Sequence, residues 1–280
     1  MHPLLTLGPV TLGTLLLGAG ACHLTPRLGP PGRALSTWFT RAPGLDLWIA
    51  YFTVAPLIAG PIVGARSTPH WWGSLAGLAV AVAAQVLAVL IWTPLHELAH
   101  PQARKGPRLV KSINRHVGRW RNHTAVWITA LAVPVFAIVR LGELLIYPPL
   151  TRLVRLPRYH AAEWVNVSRQ KFDGLVGHDL IWCLYCDWMT GVWSLGSEML
   201  RNVESFWCPI RFSSTAKCEN CRTDFPDVEH GWAPADAGIA DAAAVIERQY
   251  PGPEGVNPWF GHPARLTIEG LDPGDPDPRD

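Results

Sequence analysis

The sequence predicts a mainly α-helical, multi-pass membrane protein: about three to four spans, then a helical region holding most of the cysteines, then a Pro/Gly/Asp-rich acidic tail. Three observations predict this. Of the 280 residues, 49% are hydrophobic and 16% charged, well short of the roughly 25% charged residues of an average soluble domain. The mean hydropathy is +0.13 despite a strongly polar C-terminal end, so the apolar residues are concentrated upstream. Charge is equally uneven: residues 1–221 hold 20 Lys+Arg and 10 Asp+Glu, whereas residues 222–280 hold 4 and 12. This composition excludes a disordered chain, a collagen-like chain and a small disulfide scaffold. The basic part suits an anionic lipid surface and the acidic part water. Because the basic residues flank apolar runs and no nucleic-acid motif is present, nucleic acid is not an expected partner.

The first apolar run, Pro3 to Ala21, has no charge, and lacks the basic start of a signal peptide; it reads as an uncleaved span. The second runs from Leu47 to Ala65 and the third from Trp72 to Leu95. Each approaches or exceeds the roughly 20 residues that cross a hydrocarbon core. Between the third and fourth runs stand Arg104, Lys105, Arg108, Lys111, Arg115, Arg119 and Arg121 without one acid. That loop belongs in the cytoplasm, with the N-terminus outside. The fourth run, Thr124 to Tyr147, is interrupted by Pro134 and carries Arg140 and Glu143, spaced to pair on one helical face. Arg152, Arg155 and Arg158 follow at once, favouring a re-entrant or interfacial run and a cytoplasmic C-terminal region. The expected organisation is a membrane domain over 1–150, a helical cysteine-rich metal-binding region over 151–232, and a short helix with an acidic tail over 233–280.

Beyond the apolar runs, His160, Glu163 and Asn166 recur at threes and predict a helix, broken at Asp173-Gly174. Leu175 to Trp207 reads as one long helix or two, closed by Pro209. Its Trp182, Met189, Trp193, Leu200, Val203 and Trp207 form a stripe expected to be core. A second face gathers Asp179, Cys183, Cys186 and Asp187. Residues 208–230 have no period, and Ala235 to Tyr250 predicts a short helix.

Five of the six cysteines fall between 183 and 221, as Cys183-x2-Cys186, Cys208 and Cys218-x2-Cys221. Such pairs let two thiolates converge on one ion, and tetrahedral zinc and iron–sulfur clusters both take four such ligands. Either both pairs serve one centre, or Cys208, Cys218, Cys221 and His230 form a zinc loop while Cys183 and Cys186 serve another purpose. Lys217-Cys218-Glu219-Asn220-Cys221-Arg222 is similar to a zinc knuckle. Disulfides are the competing reading, and need an oxidising compartment. Cys22 stands apart as a small apolar residue.

His96-Glu97-Leu98-Ala99-His100 ends the third apolar run. Histidines four apart share a helical face and can bind one metal, with the intervening Glu placed to act on a bound water. The motif resembles that of the intramembrane zinc proteases, and this resemblance implies zinc on His96 and His100, Glu97 as general base and Asp173 of Phe172-Asp173-Gly174 as a further ligand. It also resembles the membrane desaturases and alkane hydroxylases, which implies iron at His96 and His100, with His116 and His123 continuing the set. His160 and His178 lie near enough in sequence to extend a site at the cysteine helix. The expected function is an integral-membrane redox metalloprotein with a Cys-ligated iron–sulfur or zinc centre, a second metal at the HExxH motif and a redox or membrane protein as partner. A membrane zinc metallohydrolase and a non-enzymatic scaffold with a zinc module are the alternatives.

Overall fold

The computed structural model describes residues 3–68, 70–103, 106–172, 174–224 and 228–249, with the backbone alone at 220–224, 229–230 and 249. Asp173 and the acidic tail from 251 onward lie outside the described residues. Among them the fold is all-α: α1 (Pro3–Leu24), α2 (Pro30–Trp38), α3 (Gly44–Ile49), α4 (Ala55–Ser67), α5 (Trp72–Ala99), α6 (Leu109–Val117), α7 (Arg119–Ala130), α8 (Ala132–Leu145), α9 (Tyr147–Leu153), α10 (Ala161–Trp164), α11 (Gly177–Trp207), α12 (Thr215–Asp224), α13 (Val228–Gly231) and α14 (Ile239–Gln249).

Four helical runs are long and apolar enough to cross a membrane: Pro3–Leu28, Gly44–Ser67, Trp72–Ala99 and Arg119–Leu153. Their surfaces invert the soluble pattern. On α1 only Leu7, Thr11, Leu15 and Gly18 are buried, one narrow stripe, while Leu5 and Leu17 are more than 70% exposed. A helix so apolar around its whole circumference is suited to lipid. A multi-pass membrane protein follows from these four runs.

The chain divides into two compact units, one of residues 1–138 with 165–192, the other of 139–164 with 193–280. In the first, α4 and α5 meet through glycines. Gly60 and Gly64 face Gly77 and Gly73, and a Cβ at any of the four would collide with the opposite helix. Both sets follow the G-x-x-x-G spacing, which lets membrane helices approach closely enough for van der Waals packing to hold them. Ala81, Ala84 and Ala88 extend the same seam along α5.

A single polar side chain repairs the backbone of the second span. Residues 50–54 widen into a π-helical turn just before Pro56. Proline has no N–H, so the carbonyl of Phe52 loses its helical donor. Gln85 of α5 donates its amide to that carbonyl at 2.8 Å and to Thr53 O at 3.0 Å.

The fourth run is helical over 119–153 with breaks at Leu131 and Ile146. Pro134 explains the first break, because its ring crowds the carbonyl of Ala130, where α7 ends. In the second unit Arg140 and Glu143 form the pair that their spacing predicts, Nη1 to Oε2 at 2.7 Å with both side chains buried. That unit's core gathers Tyr147, Leu156, Val228, Trp232, Ala233, Ala242 and Val245, with Arg201 stacked over Trp232 at 3.8 Å. Asn202, fully buried, donates to the hydroxyls of Tyr147 (3.0 Å) and Tyr159 (2.6 Å). Burial there holds the Tyr159 phenol well above its ordinary range.

Three local expectations are corrected. The recurrence at His160, Glu163 and Asn166 yields only the single turn α10. Beyond it, alternating Val165 and Val167 favour extended backbone, and residue 166 bridges Arg41 antiparallel. The tryptophan stripe of α11 is core only in part: Trp182 and Met189 are half-buried and Val203 packs against the core cluster, but Trp193, Leu200 and Trp207 are 61%, 60% and 53% exposed. The buried stripe runs instead through Trp188, Val192, Leu195, Glu198 and Asn202. Residues 208–230, aperiodic in sequence, contain α12 and α13. Within Leu175–Trp207 one helix forms, Gly177–Trp207, and the predicted C-terminal helix is α14.

Candidate functional site

The N-terminal half of α11 is anchored by one face and presents chemistry on the other. Trp188, 1% exposed, donates its indole N–H to Asp46 Oδ1 at 3.2 Å, and Tyr185 shares a 2.8 Å hydrogen bond with Thr53. At 100° per residue, Asp179, Cys183, Cys186 and Asp187 fall on the opposite side. Two of these four brace neighbouring segments. Asp179 accepts the backbone N–H groups of Leu109 (2.8 Å) and Val110 (3.1 Å), capping α6 from another helix. Burial would raise its carboxyl, but the His178 ring beside it and those two amides outweigh burial and hold it below the usual range. Asp187 accepts the N–H groups of Ser168 and Arg169, each at 3.0 Å, and pairs with Arg169 Nε at 2.8 Å.

Between these braces lie the two thiols. Cys183 is half-buried and Cys186 exposed, and both are free. Arg169 reaches Cys186 as well as Asp187, and these two contacts, the thiol's first, raise the guanidinium above its ordinary value. Burial pushes the Cys183 thiol up, against the pull of the same arginine. His178 accepts the indole N–H of Trp182 at 3.0 Å and meets His123 edge-on, ring centres 5.6 Å apart.

The other cysteines are elsewhere. Cys208 is exposed just past α11, and Cys218 and Cys221 lie on α12; all three belong to the second unit, whereas Cys183 and Cys186 belong to the first. Lys217–Arg222 is thus helical rather than a knuckle loop. The side chains of Cys221 and His230 lie outside the described residues, as does Asp173. The five described cysteines are free thiols, and Cys22 is half-buried on α1. His160 is exposed, and His116 is exposed with Nδ1 2.9 Å from Ser112 O.

At the end of α5, His96, Glu97 and His100 are engaged by the protein. Glu97 is bound by Arg108 at 2.7 Å. The Gly177 N–H donates to His96 Nδ1 at 3.1 Å, which seats the start of α11 on this motif. Gly177 has φ +56°, and a Cβ there would strike Glu97. With Nδ1 accepting, a neutral His96 carries its proton on Nε2, so a metal at Nε2 requires that proton to leave and competes with this seat. His100 Nδ1 lies 3.0 Å from His96 O, its ring 4.3 Å from that of His96 and 5.1 Å from that of His23. His23, Arg108 and Arg169 are participants that the motifs did not reveal. Among the described residues no three His, Cys, Asp or Glu side chains converge as a group for a metal ion.

These features define an all-helical protein with four candidate spans and a helix bearing paired thiols. In comparison with protein-family models, curated proteins and solved structures, the chain matches none.

Proposed function

We propose that the chain is an integral-membrane redox metalloprotein in which Cys183 and Cys186 supply two thiolate ligands to a zinc or iron–sulfur centre. One observation carries this reading: two free thiols, one helical turn apart on the face of α11 opposite Tyr185 and Trp188, with a guanidinium against the outer one. Neighbours at i and i+3 on a helix have Cβ atoms about 5–6 Å apart. A disulfide needs Cβ atoms about 3.5–4.5 Å apart, so closing one would distort the helix. A metal, bonded to each sulfur at about 2.3 Å, spans the wider gap with the helix intact. Arg169 pulls the Cys183 thiol in the direction a thiolate ligand requires, against the larger effect of burial. Zinc has no redox chemistry, so an electron-transfer role attaches to the iron–sulfur form, with a redox or membrane protein as the exchange partner. The basic loop before α7 supports a cytoplasmic setting for the site.

Protein purified anaerobically in detergent tests this by elemental analysis and an optical spectrum. The reading expects iron with visible charge-transfer absorbance, or zinc, in wild type, and loss of that metal in Cys183→Ser/Cys186→Ser. Metal retained in that variant and lost in Cys218→Ser/Cys221→Ser would move the centre to the other pair.

A further inference from the structure

We infer that α6 is an interfacial helix that binds the surface of an anionic phospholipid bilayer, the same bilayer that the flanking runs enter. Leu109, Ile113 and Val117 recur at every fourth residue and are 50%, 46% and 46% exposed, forming an apolar face left open among the described residues. Trp120, 82% exposed, follows one turn later. Lys111 and Arg115 project from the opposite side of the helix, both exposed. A short helix with an apolar face, a cationic face and a nearby tryptophan has the composition of elements that lie in the headgroup region.

Position and charge select the occupant. Only nine residues separate the end of α5 from α6, and only Gly118 separates α6 from the run Arg119–Leu153, so both ends are tethered to candidate spans. At φ +88° Gly118 makes a turn that other residues rarely adopt, redirecting the chain between α6 and α7. From Leu98 to Gly142 there is no Asp or Glu to offset the basic residues. Arg108 is held by Glu97, while Lys111 and Arg115 lie on the helix and Arg119 and Arg121 follow it directly. The Asp179 carboxylate satisfies the first amides of α6, so the helix is fixed in direction before it meets lipid. Seated on headgroups, α6 would hold the start of α11 at the membrane surface.

Hydrogen–deuterium exchange of the full chain in nanodiscs tests the inference. Residues 109–117 should exchange more slowly in discs containing phosphatidylglycerol than in discs of phosphatidylcholine alone. The difference should be about fivefold for each engaged cation, the equivalent of about 1 kcal/mol, and should shrink at 0.5 M salt. In Lys111→Gln/Arg115→Gln/Arg119→Gln/Arg121→Gln the two disc types should give equal rates, with protection of α4 and α5 unchanged as the check on folding. Equal rates for the wild-type chain in both discs would overturn the inference. So would protection in phosphatidylcholine discs appearing only on addition of inorganic phosphate or of RNA, which would assign the basic face to a soluble anion.

Discussion

Replacing Asp179 removes the link between the thiol helix and α6. The carboxylate is 9% exposed and accepts two amides at the start of α6, so Asp179→Ala deletes both a cap and a charge at a helix N-terminus. Loss of a cap costs typically about 1 kcal/mol, and a carboxylate at a partly buried N-terminus contributes up to about 1 kcal/mol more. Together, about 2 kcal/mol corresponds to α6 opening roughly 30-fold more often. Asp179→Asn keeps an acceptor oxygen but no charge, so about 1 kcal/mol, or roughly fivefold, is expected. Hydrogen–deuterium exchange over 109–117 in zwitterionic nanodiscs reads both values without any contribution from anionic lipid. The pH dependence follows from the lowered carboxyl. Its stabilisation is complete above the unfolded value near 3.9 and is lost as pH falls through the lower folded value. Wild type should therefore lose more protection on acidification below about pH 4 than Asp179→Asn, after correction for intrinsic exchange rates. Wild-type protection in Asp179→Asn at neutral pH, with no difference in acid, would refute the capping role.

Three further outcomes follow from the packing. Gln85→Leu leaves the carbonyls of Phe52 and Thr53 without their amide donor, so a loss of about 1–3 kcal/mol for each is expected in denaturant unfolding in micelles. Gly77→Leu places a side chain against the backbone of Gly60, and should separate α4 from α5, read as a lowered melting temperature of at least several degrees. Arg140→Met alone removes the guanidinium that pairs with the buried Glu143, at about 3–5 kcal/mol, whereas Arg140→Met with Glu143→Leu should recover most of that loss.

Much of the membrane architecture was legible because lipid imposes a coarse rule. Four apolar runs were long enough to span, and four helical runs meet that requirement in the structure. The Arg140–Glu143 pair was legible from helical spacing, whereas the period of α11 left one helix or two open, and the structure forms one. The buried side of α11 was not. Tryptophans mark a core in water, but a chain bordered by lipid can leave Trp193 and Trp207 exposed and bury Glu198 and Asn202 instead. The glycines of α4 and α5 carried a G-x-x-x-G signal that a search for charge and cysteine patterns passes over.

Around the candidate site, the C-x2-C pair and its two flanking aspartates were visible as one helical face. Their partners were not, since Leu109, Val110 and Arg169 come from distant segments with no spacing relation to α11. His23 could have been found. The positive-inside rule puts the ends of the first and third spans on one side of the membrane, and His23 and His100 stand at those ends, their rings 5.1 Å apart. The HExxH spacing correctly put His96 and His100 together, yet no sequence rule says that Gly177 and Arg108 occupy His96 and Glu97.

X-ray absorption at the metal edge of anaerobically purified protein tests the central claim most directly. Sulfur neighbours at about 2.3 Å in wild type, falling by two in Cys183→Ser/Cys186→Ser or vanishing with the metal, are the predicted result. A metal surrounded only by nitrogen and oxygen at about 2.0–2.1 Å, or a sulfur shell unchanged in that variant, would contradict it.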